Sequence, residues 1–68
     1  MIEFQTDAGA TPRFWRIGID GVEIVIEFGR VGAKGQRLVK TFDSAERAKA
    51  EVEKLSAEKI RKGYQKIT

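Results

Sequence analysis

Phe14-Trp-Arg-Ile-Gly-Ile-Asp-Gly-Val-Glu-Ile-Val-Ile-Glu-Phe28 is the stretch that decides the fold. Two runs rich in aromatic and β-branched residues, Phe14 to Ile19 and Val22 to Phe28, flank Asp20-Gly21. Asp-Gly between such runs is a strong short-range signal for a β-hairpin. A two-residue turn there pairs Ile19 with Val22, Ile17 with Ile24 and Trp15 with Ile26, so one face is uniformly apolar. The other face carries Phe14, Arg16, Gly18, Glu23, Val25 and Glu27. A one-residue slip would mix the two sets, so alternation and turn chemistry agree on which residues face inward.

On the N-terminal side, Thr6 to Pro12 reads as a loop, with Gly9 and Pro12 as breakers. Residues 1–12 are therefore an N-terminal strand or flexible lead-in, and 13–68 are the domain. On the C-terminal side, Gly29-Arg-Val-Gly-Ala-Lys-Gly35 places three glycines at a spacing of three. Such a connection needs unusual dihedrals or a close backbone approach. Gln36 to Phe42 resumes as a third strand. Asp43 and Glu46 have the spacing of a capping box, and Ala45, Ala48, Val52, Leu55 and Ile60 fall on one helical arc. Gly63 ends that helix in a left-handed conformation, with Lys59, Arg61 and Lys62 favourably placed in its last turn. Tyr64 to Ile67 forms a last short strand. The fold class is α+β: a small antiparallel sheet of about four strands with one helix, in the C-terminal half, packed on one face.

Sixty-eight residues hold one small core, worth about 3–5 kcal/mol of stability. Cys 0 and His 0 exclude disulfides, zinc fingers, imidazole metal ligands and any Ser-His-Asp or Cys-His catalytic group. Glu23 and Glu27 lie ~13 Å apart along one strand, too far for either glycosidase geometry. The chain is thus expected to be no enzyme and to use no cofactor and no metal. An acidic N-terminus and the lack of a long apolar run point to a cytoplasmic protein with no membrane association.

The formal charge of +3 conceals a polarised chain. Gly29 to Phe42 and Lys59 to Thr68 carry Arg30, Lys34, Arg37, Lys40, Lys59, Arg61, Lys62 and Lys66 with no acid, leaving the remainder at −5. Sign asymmetry of this kind points to a polyanionic partner. The glycine loop fits neither G-x-G-x-x-G nor a P-loop and leads into a strand. Backbone amides beside Arg30, Lys34 and Arg37 instead suggest an anion site.

Phe28-Gly-Arg-Val-Gly32, Lys34-Gly35-Gln36, Phe42-Asp43 opening a helix, and Glu58-Lys-Ile-Arg-Lys-Gly-Tyr64 together resemble the WGR domain. The likeness spans about Arg13 to Ile67 and is to the stand-alone bacterial type, similar to the module of poly(ADP-ribose) polymerases. It implies a DNA-binding module that engages breaks and 5′-phosphorylated ends. Phe28 stands where the family has its signature Trp, Arg30 matches the signature Arg, and Tyr64 matches the aromatic that closes Lys-Gly-Tyr. Phe keeps a face for stacking but lacks the indole N–H. Alternation alone also allows Phe28 to be core, as the continuation of Val22, Ile24 and Ile26.

The function expected is non-enzymatic nucleic-acid binding, chiefly to DNA phosphates, through Phe28, Arg30, Lys34, Arg37, Lys62 and Tyr64. The alternative is a protein-interaction module that docks on a partner domain, using an apolar patch of Phe14 and Val25 on the open sheet face.

Overall fold

The computed structural model describes residues 1–7, 9 and 11–67; the loop reading at Ala8 and Ala10, and Thr68, lie outside them. Five strands form one antiparallel sheet: β1 (Ile2–Thr6), β2 (Arg13–Asp20), β3 (Glu23–Arg30), β4 (Gln36–Thr41) and β5 (Gln65–Lys66), in the spatial order β4-β3-β2-β1-β5. The single helix α1 (Ala45–Arg61) packs on one face against β2, β3 and β5. The N-terminal segment is a full strand inside the sheet, since β1 pairs with β2 on one side and β5 on the other.

The hairpin forms with a register two residues away from the one that Asp20-Gly21 implies. Ile19 pairs with Ile24, Ile17 with Ile26 and Trp15 with Phe28. A type I′ turn at Asp20-Gly21 would need positive φ at both positions, but no non-glycine residue has positive φ among the described residues. Gly21, at φ 63°, instead takes the first central position of a Gly-Val turn, as in type II′, and Asp20 enters the ladder opposite Glu23. A shift of two keeps every side chain on its face, so the inward set survives. Phe4, Trp15, Ile17, Ile24 and Ile26 are buried together with Ala48 of the helix. Phe4 and Trp15 are cross-strand partners with ring centroids 5.6 Å apart. Ile19 and Val22 lie at the hairpin tip and are exposed.

The helix starts one residue later than the capping-box reading. Ser44 is the N-cap, its Oγ accepting from the Arg47 N–H at 3.1 Å, while Asp43 pairs with Arg47 at 3.4 Å. Ser44→Ala should therefore cost about 1 kcal/mol in urea denaturation. Asp43→Ala should cost less, because its ion pair is exposed. At the other end Gly63 takes φ 97°. Its N–H donates to the Ile60 carbonyl and that of Tyr64 to the Lys59 carbonyl, a Schellman closure that turns the chain into β5.

The inward stripe of α1 runs Ala48, Val52, Leu55 and then Lys59, not Ile60. Spacings of four, three and four keep these on one face. Ile60 and Ala45, expected on the apolar arc, are exposed.

The open face of the sheet is ordered by charge. Glu3, Arg16, Glu27 and Arg37 are successive cross-strand partners on β1 to β4. Arg16 lies 4.0 Å from Glu3 and 3.4 Å from Glu27, and Arg37 lies 3.8 Å from Glu27. Two acids and two bases thus cancel across this face. Phe14 belongs to the same face, but it is buried. The Gly29–Gly35 loop closes over its ring and the Arg16 guanidinium stacks on it at 4.5 Å. Phe14 therefore offers no apolar patch to a partner, contrary to the docking expectation.

Candidate nucleic-acid interface

The register places two cations side by side where β2 and β3 meet the glycine loop. Arg13 and Arg30 are cross-strand partners two pairs beyond Trp15 and Phe28. By alternation all four side chains share the helix-side face. Like charges directly opposite disfavour a sheet, so this pairing is a local cost to folding. On β4, Lys40 lies opposite Ile24 and Leu38 opposite Ile26, again on the helix side. Among the described residues no carboxylate forms an ion pair with Arg13, Arg30 or Lys40.

The helix supplies the facing wall. Leu55, Glu58 and Lys59 come from its last turns, and the Schellman closure delivers Tyr64 beside them. The Lys59 ammonium lies 5.3 Å from the centroid of the Trp15 ring and 5.2 Å from that of Tyr64. Partial burial and the nearby Lys62 hold Lys59 below the ordinary lysine range, with Glu58 pulling it partly back. Together these elements enclose a cleft of about 490 Å³. Its floor is aromatic and aliphatic, its rim carries Arg13, Arg30, Lys40 and Lys59, and among the described residues Glu58 is the one acid lining it.

Of the residues singled out in the sequence, Phe28, Arg30 and Tyr64 meet in this cleft. Phe28 is half-buried, packed on the core and lining the cleft as well. Lys34 is exposed on the loop and Lys62 is exposed at the helix C-cap, neither lining the cleft. Arg37 faces the opposite side of the sheet and pairs with Glu27. The loop amides are also less available than an anion nest requires. Those of Val31 and Ala33 donate to the Pro12 and Arg30 carbonyls at 3.1 and 3.0 Å.

Arg13, Lys40 and Lys59 went unassigned to the site in the sequence. Arg13 becomes visible only through its pairing with Arg30, and Lys40 through its parity with Leu38. Lys59 had a legible signal, since it continues the 48-52-55 spacing.

The WGR domain profile matches residues 1–68. The chain belongs to the WGR domain family. Escherichia coli K12 YehF is 49% identical over 53 residues, which cover 76% of this chain and 19% of YehF. YfeS of the same organism is 40% identical over 53 residues, covering 78% of this chain and 22% of YfeS. A crystal structure of a Bacteroides fragilis protein superposes with a TM-score of 0.94 at 34% identity, covering 98% of this chain and 19% of that one. This WGR domain therefore spans about a fifth of the length of each of these proteins. It is a small member of a non-catalytic module family, and among its described residues no helix is long and apolar enough to cross a membrane.

Proposed function

We propose that this WGR domain binds nucleic acid by gripping the phosphate backbone at the helix-side cleft. The carrying observation is that the cross-strand pair Arg13 and Arg30, together with Lys40 six positions further along the sheet opposite Ile24, lines one cleft, three cations without an ion-pair partner among the described residues. Folding disfavours the Arg13–Arg30 pair, and an anion between them removes the repulsion. The family likeness supports DNA, and breaks with 5′-phosphates, as the form bound. Phe28 and Tyr64 supply flat surfaces beside the phosphate contacts.

Three or four phosphate contacts give a log-log salt slope of roughly −3 to −4 on duplex DNA. A titration of labelled nicked duplex, with and without a 5′-phosphate, at two salt concentrations tests this. A flat salt response, or no binding at low salt, contradicts it. In the same assay Arg30→Ala should weaken binding and reduce the slope by about 1, whereas Arg37→Ala should leave both nearly unchanged. Equal losses in the two variants would place the interface elsewhere.

Protein docking is the second reading, and one observation favours it. β4 is an edge strand, exposed along its whole length, with Leu38 and Val39 about half exposed on its two faces. A pull-down that resists nuclease and is lost on Val39→Lys would support that role.

A further inference from the structure

Phosphate binding leaves half of the cleft unexplained. A phosphate needs cations and N–H donors, yet Phe28, Leu38, Leu55 and Tyr64 give this site apolar walls. Leu38 remains 47% exposed there, an aliphatic surface that no anion uses. A volume of about 490 Å³ is also far more than one phosphate fills, and it lies in the range of small-molecule sites.

The polar groups come from three places: Arg13 and Arg30 on β2 and β3, Lys40 on β4, and Glu58 and Lys59 on the helix. Arg13 and Arg30 stand together at the strand end, with no acid paired to either. Glu58 and Lys59, consecutive residues of α1, both line the helix wall, one offering an acceptor and the other a donor, with the Lys59 ammonium over the Trp15 and Tyr64 rings. The Glu58 carboxylate repels phosphate, so the anion belongs at the arginine end. What fits the helix end is a flat group with a hydrogen-bond acceptor for the ammonium and an N–H for the carboxylate.

We infer that the cleft takes one unpaired nucleotide, its phosphate between Arg13 and Arg30 and its base against Phe28, Leu38 and Tyr64, with a keto base preferred. The inference rests on the nucleic-acid reading and names the form recognised. A base within a duplex has its hydrogen-bonding edge occupied and its faces stacked, so only a flap, overhang or single strand can present one. Guanine and thymine each carry a ring N–H beside a carbonyl oxygen, matching Glu58 and Lys59, whereas adenine and cytosine do not.

The test uses the 68-residue chain and nicked duplexes bearing a one-nucleotide 5′-phosphorylated flap. The flap carries guanine, adenine or an abasic tetrahydrofuran, and affinity is measured at two salt concentrations. Guanine should bind about tenfold more tightly than the abasic flap, the effect of stacking one base, with adenine between them. The salt slope should be the same for all three, because the phosphates are unchanged. Leu38→Asn, at an exposed position, should erase the advantage of guanine over the abasic flap while keeping the salt slope. Equal affinity for the three flaps overturns the base site and leaves phosphate gripping intact. Full retention of the base effect in Leu38→Asn overturns the placement of the base. Failure to bind any of the three overturns this inference and the nucleic-acid reading together.

Discussion

Gly35→Ala is expected to cost about 3 kcal/mol, close to the whole stability of a domain this small. Gly35 has φ 75°, where an L side chain is strained, and that alone accounts for about 1–2 kcal/mol. The remainder comes from space. A Cβ there would run into the Phe28 carbonyl oxygen and sit 2.9 Å from Cζ of Phe14. The carbonyl belongs to the sheet backbone and cannot rotate away as a side-chain end can. Gly29 is tied to the same closure, since a Cβ on it would lie 2.7 Å from the Gly35 Cα. Gly32, at φ 93° with nothing within 4 Å, serves as the control, and Gly32→Ala should cost only about 1 kcal/mol. Urea denaturation of both variants, with m unchanged, checks the order. Equal costs would mean that the loop does not close over Phe14.

Reversing both arginines, Arg13→Glu with Arg30→Glu, is expected to weaken nucleic-acid binding by at least two orders of magnitude. Two charge-assisted contacts at about 1.5–3 kcal/mol each give that loss before repulsion is added. The fold should not suffer, since both side chains are exposed and the double reversal exchanges one like-charge cross-strand pair for another, whereas replacing Arg30 alone removes it. Arg30→Thr should therefore melt at or slightly above the wild-type temperature while binding less. The site would then be a place where stability yields to function. A calorimetric scan beside the binding assay separates the two effects. A drop in melting temperature that accounts for the lost affinity would make Arg30 a structural residue.

The sheet and helix were legible because one face of Phe14–Phe28 is apolar at every second residue and Ala48, Val52 and Leu55 keep helical spacing. Local details went astray where two chemically similar candidates adjoin. Asp20-Gly21 and Gly21-Val22 both allow a tight turn, and the sheet takes the one in which glycine alone has positive φ. Asp43 and Ser44 can both cap, and Ser44 does. Ile60 is the more apolar neighbour, yet helix geometry turns Lys59 inward, where its ammonium lies over the Trp15 and Tyr64 rings.

The candidate site was half legible. Arg30, Phe28 and Tyr64 follow from motif likeness, and their convergence in one cleft is a property of the register. Counting +8 along the chain ignored the alternation of β4, which sends Arg37 and Lys40 to opposite faces. On one face Arg37 is neutralised by Glu27; on the other Lys40 lines the same cleft as Arg13 and Arg30. Arg13 could not be matched to Arg30 without the strand pairing, because 17 positions separate them in the chain.

Amide chemical-shift mapping tests most directly whether the two faces of this sheet differ in function. With nitrogen-15-labelled protein and a short 5′-phosphorylated nicked duplex at low salt, the shifts should concentrate at Arg13, Trp15, Arg30, Lys40, Lys59 and Tyr64. Those of Glu3, Arg16, Glu27 and Arg37 should stay still. Shifts centred on the Glu3–Arg16–Glu27–Arg37 row, or spread evenly over both faces, would contradict the account.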